Sequence, residues 1–216
     1  MPKLYYTTSS CGAANFIAAR LAGVDMACEQ VDLGTHKTSH SDSDFYKINP
    51  KGNVPTIVLK DGTVLNENAA TLQFIADQDK DAMIIPAFDT TERYQVINAL
   101  SYIGTELHTT VGPLFNPTLD SAVHESSRHR IVQKWTFLND HMLHKHDYLV
   151  GNKMSVADIY LYIVLSWSPY LQLDYSGHPN IVAFFDRMKN DAAIKDAHAA
   201  MASDPTSTMA SNSSRK

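Results

Sequence analysis

An α/β domain followed by an all-helical domain is the fold class this sequence predicts. Two observations carry the prediction. Up to about residue 80, short β-like runs alternate with helical patterns; beyond the next few residues, nearly everything to residue 201 has helical periodicity. A hydrophobic share of 44% over 216 residues supplies core for two modest domains or one large one.

Residues 3–8 read as the first strand. Residues 11–22 follow as a helix with Ala14, Ile17, Ala18 and Leu21 on one face, and Gly23 stands where a helix stop belongs. Residues 26–33 read as a second strand, and the polar, turn-rich residues 34–44 as a loop. Residues 54–67 hold two β-runs around Asp61-Gly62, a hairpin signal. Helical spacing returns over 68–78 through Ala69, Leu72 and Ile75 or Ala76. The resulting boundaries are an α/β domain over 1–80, a linker over 81–89 and a helical domain over 90–202. Residues 203–216 form an apolar-poor tail of disordered composition.

A formal net charge of −5 gives no reason to expect nucleic acid or an anionic membrane as partner. No apolar stretch approaches the roughly 18 residues of a membrane span. The opening residues lack the basic and apolar regions of a secretory signal. Two cysteines, Cys11 and Cys28, make no disulfide framework and fit a reducing compartment, so a cytoplasmic location is expected. His141, His144 and His146 include a spacing that zinc can use, but no acid or cysteine completes the set. A surface cluster without metal is the expectation. Cys28, in a β-run, reads as an inert buried residue.

Several short motifs have a direct physical reading. Ser155 and Asp158 make a capping box, with Met154 and Ile159 as its hydrophobic staple; this is a structural device. Asn53-Val54-Pro55 precedes a strand, and proline, which lacks a donor and accommodates a cis bond, suits a tight turn there. Asn68 reads as an N-cap, with free amides beyond it that can receive a carboxylate and the acid Glu67 beside it. Cys11 stands at the start of the first helix, where amides and dipole favour a thiolate.

Residues 49–58, "NPKGNVPTIV", and 65–77, "LNENAATLQFIAD", resemble the thioredoxin-like domain of a cytosolic glutathione transferase. Residues 151–162, "GNKMSVADIYLY", resemble that family's helical second domain. Cys11, together with "LSYIGTELHTTVGPLF" over 100–115, points towards the bacterial beta class. The likeness spans roughly residues 3 to 200. It implies a cis bond before Pro55, with Val54 hydrogen-bonding the cysteinyl backbone of glutathione. It also implies that Asn68, where relatives carry a serine or another small residue, holds the γ-glutamyl carboxylate. Relatives often carry paired lysines in the loop after the second strand. Here His36 departs from the pair, and Lys37 is left to meet the glycyl carboxylate. His108 matches the histidine that reaches the sulfur, and Ser101 stands where relatives place a polar group near glutathione. Phe115, Trp167 and Tyr170 would supply an apolar site for the electrophile. Tyr6 reads as core or site wall.

For Cys11 two readings stand. Either it attacks disulfides itself, or glutathione brings the nucleophilic thiolate and Cys11, Ser10 and nearby amides stabilise it. Lowering a thiol pKa from about 8.5 to about 6.5 needs close to 3 kcal/mol. A helix end supplies about 0.3–1 kcal/mol, rising towards 2 when partly buried. A second donor is therefore expected, and His108 is the candidate. The leading expectation is a glutathione transferase, joining glutathione to a small hydrophobic electrophile. Glutathione would be a co-substrate, no metal or organic cofactor is expected, and the resemblance implies a homodimer. The alternatives are a glutathione-dependent thiol-disulfide oxidoreductase or ether-cleaving lyase using Cys11, and a non-catalytic glutathione-binding protein.

Overall fold

The computed structural model describes residues 1–79 and 84–203. Residue 80, residues 81–83 of the expected linker, and the expected tail beyond Ser203 lie outside the described residues. The chain forms two compact units. The first comprises Met1–Ile84 with the described residues from Asp191 onward, and the second comprises Ile85–Asn190.

The first unit is a five-stranded mixed sheet in the order β3-β2-β1-β4-β5. β1 (Lys3–Tyr6) lies parallel to β2 (Ala27–Asp32) and antiparallel to β4 (Thr56–Val58), with Leu4 opposite both Cys28 and Ile57. A central strand is covered on both faces, so Leu4, Tyr5 and Tyr6 are all buried and the polar alternation of a half-exposed strand is missing. Tyr5 faces a cluster with Val31, Phe45 and Val54. Tyr6 points the opposite way and stacks on Phe16 of α1 (Gly12–Leu21), ring centroids 5.0 Å apart. α1 is buried along Gly12–Ala19, more completely than a single apolar face would require. α8 (Ala192–Ser203) belongs to the same unit and packs on α1, burying Ile194, Ala197 and Met201. α1 ends at Gly23, whose φ of 61° suits a residue without Cβ.

Two local expectations need correction. Residues 34–44 are not all loop: Lys37–Thr38 form β3, antiparallel to β2 through Val31 and Thr38. Cys28 is half-buried rather than buried, its thiol donating to the Met26 carbonyl at 3.7 Å. The Asp61-Gly62 hairpin forms as read. It joins β4 to β5 (Val64–Leu65), with Gly62 at φ 87° and Asp61 accepting from the Thr63 N–H.

The second unit is helical. α3 (Thr91–Tyr102) runs through a π-helical stretch, Ile103–His108, into the short α4 (Thr109–Val111). α5 (Ser121–Phe137) also ends in π turns, Leu138–Met142. α6 (Val156–Ser166) is mostly apolar and buried from Val156 to Leu165, as a helix at the centre of a bundle must be. α7 (Pro179–Asn190) completes the unit. Ser155 caps α6, and Asp158 closes the box expected from the sequence. Its carboxylate accepts from the Ser155 N–H at 2.8 Å, the Ser155 hydroxyl at 2.7 Å and the Leu149 N–H at 2.8 Å.

Burial outweighs these donors and pushes the Asp158 carboxyl up to about 6. A raised native pKa means that the folded chain holds this proton more tightly than the unfolded chain. That stability is present below about pH 4 and is lost as pH rises through about 6. Asp158→Ala leaves two backbone N–H groups without their acceptor and should lower the unfolding free energy by about 3 kcal/mol at neutral pH. Denaturant titrations at pH 4, 5, 6 and 7 check this, and the decline between pH 4 and 6 should shrink in the variant. An unchanged midpoint at neutral pH would contradict the assigned role.

Candidate functional site

The first group of site residues lies where β1 hands the chain to α1. Thr7 ties this junction to β2 by donating its hydroxyl to the Val31 carbonyl at 2.6 Å. Ser10 donates its one hydroxyl proton to the Thr7 carbonyl at 2.9 Å and accepts from the Gly12 N–H at 3.1 Å. Its proton is thus committed to the backbone. A Cβ at Gly12 would stand 3.1 Å from the Tyr6 Cβ, tighter than such contacts ordinarily come, so glycine eases the approach of the helix start to the strand.

Cys11 is the N-cap of α1 and only 8% exposed. Its thiol donates to the Val54 carbonyl at 3.4 Å, and the Val54-Pro55 bond is cis, as the resemblance implied. Burial pushes the Cys11 thiol up to about 12; the nearby Glu67 carboxylate adds to the rise, and the Cys11 and Gly12 amides oppose it. The expectation that this position favours a thiolate is therefore corrected. Those amides stabilise a negative charge, but the cost of taking that charge out of water is larger.

Asn53 braces the cis turn. Its side chain accepts from Asn49 at 2.8 Å and donates to the Asn66 carbonyl at 3.3 Å. The same amide nitrogen of Asn49, fully buried, has the Asn53 carbonyl and the Thr56 hydroxyl oxygen within reach, so its two protons are shared among three acceptors. Glu67, not Asn68, is the N-cap of α2 (Asn68–Ala76) and takes the extended backbone that a cap requires. The Glu67 carboxylate is paired with Lys51. Asn68 occupies the first helical position, and its side-chain oxygen accepts from Asn15 on α1. The buried Asn68 Nδ2 has no partner among the described residues. His36 stacks on Tyr46, with centroids 4.4 Å apart, while Lys37 is held by Asp42 at 2.9 and 3.0 Å.

The second group lies in the helical unit. His108 ends the π-helical stretch, half-buried, and burial lowers its pKa below the ordinary imidazole value. Its Nδ1 is 2.7 Å from the Tyr160 hydroxyl on α6. Trp167 lies against the His108 ring at 5.0 Å, Phe115 stands edge-on to Trp167 at 5.4 Å, and Tyr170 stacks on Phe115 at 6.1 Å. This ladder runs from nearly buried Trp167 out to Tyr170, which is 79% exposed. Ser101 is exposed on α3. The π turns between it and His108 break the 3.6-residue phase that would set them on one face. Asn15, Asn49, Lys51 and Tyr160 are site neighbours that the sequence did not single out. Among the described residues no group of three or more His, Cys, Asp or Glu side chains gathers to hold a metal ion. No helix of the described residues is long and apolar enough to cross a membrane.

The family model for the glutathione S-transferase N-terminal domain matches residues 8–78, and that for the C-terminal domain matches residues 106–191. The chain is also 34% identical over 195 residues to glutathione S-transferase GstA of Escherichia coli O157:H7, covering 90% of this chain and 96% of that protein. The chain belongs to the glutathione S-transferase family. Among solved structures, a sphingomonad glutathione S-transferase complexed with glutathione is 34% identical. It superposes with a TM-score of 0.86, over 92% of this chain and 98% of that one. A bacterial beta-class glutathione S-transferase from Sphingomonas chungbukensis is 35% identical, with a TM-score of 0.85 and the same coverage. The beta-like resemblance, the thioredoxin-like first domain and the helical second domain read from the sequence are thereby met.

In this transferase, Trp167 holds both His108 and Phe115 in place. Trp167→Ala should cost about 3 kcal/mol of unfolding free energy through the cavity it leaves. Urea unfolding followed by circular dichroism measures it; a shift of less than about 1 kcal/mol would mean that the ring packs little in the native state.

Proposed function

We propose that this chain joins the sulfur of glutathione to soft electrophiles bound on the Phe115–Trp167–Tyr170 ladder. The observation that carries the reading is the state of Cys11. A buried thiol pushed up to about 12 and donating to a carbonyl is a poor nucleophile, since the thiolate is the reactive form. The chain's own sulfur is thus ill suited to disulfide exchange, and the reactive sulfur is the one glutathione brings.

In this reading the Val54 backbone and its cis turn receive the cysteinyl part of the tripeptide. The first amides of α2, at Asn68, receive the γ-glutamyl carboxylate. Glu67 takes the amino group and Lys37 the glycyl carboxylate, each in exchange for its present surface partner. Such exposed pairs hold by only about 0–1 kcal/mol, so exchanging them is easy. The thiol proton leaves to water and His108 stabilises the sulfur charge. With a chloronitroarene, a sulfur–carbon bond forms, the carbon–chlorine bond breaks and chloride leaves with the bonding pair. Catalysis is positioning and charge stabilisation, with glutathione as a consumed co-substrate. A homodimer and a cytoplasmic location belong to the same proposal, and rest on the family.

The test is conjugation of a chloronitroarene by the unaltered chain, Cys11→Ala and His108→Ala. The unaltered chain should turn over, and His108→Ala should lose about tenfold in kcat/KM. Cys11→Ala should keep activity within about tenfold, because only a supporting group is removed. Turnover of hydroxyethyl disulfide that vanishes in Cys11→Ala, without arene conjugation, would instead make the chain a thiol-disulfide oxidoreductase.

A further inference from the structure

Tyr160 sits in the most apolar helix of the second unit, 2% exposed, with its hydroxyl 2.7 Å from His108 Nδ1. The two rings meet edge to face at 84°, and Trp167 closes on the imidazole from another side. The helix carrying His108 comes close to the phenol as well. A Cβ at Gly104, in the π-helical stretch, would lie 3.9 Å from the Tyr160 oxygen. The ring orientation of His108 is therefore set by neighbours in its own unit.

Which nitrogen carries the proton follows from the chemistry of the pair. Burial lowers the pKa of His108, so the ring is neutral at neutral pH and has one N–H and one acceptor nitrogen. A phenol beside an imidazole donates better than it accepts. The 2.7 Å separation also fits an O–H donor, since N–H···O bonds cluster near about 2.9–3.0 Å. With the phenol as donor, Nδ1 accepts and the single ring proton is left to Nε2.

We propose that Tyr160 is a positioning residue whose hydroxyl holds His108 as the Nε2–H tautomer, so that its second ring nitrogen is a hydrogen-bond donor to an anion rather than a base. This rests on the conjugation reading only for the identity of the acceptor. The tautomer itself is a property of the unliganded chain.

Two measurements on the full chain test it, with Tyr160→Phe as the conservative variant. Long-range proton–nitrogen spectra of histidine-labelled protein at pH 7.5, with His108 assigned through His108→Gln, report the tautomer. The unaltered chain should show His108 with a proton-bearing Nε2 and a pyridine-type Nδ1, and Tyr160→Phe should show a mixture. A proton on Nδ1 in the unaltered chain would overturn the proposal. The second measurement is chloronitroarene kinetics. Tyr160→Phe should lower kcat about tenfold with the KM for glutathione unchanged. On a His108→Gln background, where an amide donates without any tautomer to set, the same substitution should cost less than about twofold. Equal losses on both backgrounds would show Tyr160 acting on packing and would overturn it. Should the chain turn over no electrophile, the conjugation reading fails, while the spectra still decide the tautomer.

Discussion

Burial of the Cys11 thiol is the constraint from which the chemistry of the first unit follows. The helix start has to press on β1 at Gly12, and the sulfur is thereby carried against the carbonyl that precedes Pro55. In that position Cys11 links two segments 43 residues apart and stays protonated. A helix N-terminus offers a sulfur anion about 2 kcal/mol at best, and desolvation outweighs it here. What the junction retains is a neutral thiol whose one proton goes to the Val54 carbonyl.

The second unit solves a different problem. His108 is a polar ring in a helical bundle, and it is tolerated because a phenol satisfies one nitrogen while Trp167 lies against the ring. α6 supplies Tyr160, and that helix is fixed by the Asp158 carboxylate, which gathers Ser155 and Leu149 at its start. The capping box thus reaches His108 indirectly. It holds the helix that holds the phenol that holds the imidazole.

Much of this was legible in the sequence because it is local. The hairpin at Asp61-Gly62, the stop at Gly23 and the box at Ser155 depend on residues a few positions apart. What escaped depends on partners far along the chain. The sequence of Cys11 and its neighbours contains nothing of the Val54 carbonyl, and so nothing of the burial that keeps the thiol protonated. β3 is two residues long, too short to show a period, and exists because Thr38 finds Val31. Asn68 reads as a cap because its residue type favours that place, but its amide is turned inward to Asn15 and Glu67 takes the cap instead. The π turns before His108 lie outside any reading that assumes 3.6 residues per turn. Tyr160 was hidden in a helix whose apolar composition speaks only of burial.

In the proposed chemistry glutathione supplies the sulfur anion and Cys11 does not. Thiolate absorbance near 240 nm, titrated between pH 6 and pH 9 with and without glutathione, tests it directly. No titrating thiolate signal is expected from Cys11 in the free chain, read as the difference from Cys11→Ala. On adding glutathione, a signal should appear at lower pH than for glutathione in water, and it should survive Cys11→Ala. A thiolate signal in the free chain that titrates near pH 7 and vanishes in Cys11→Ala would contradict it.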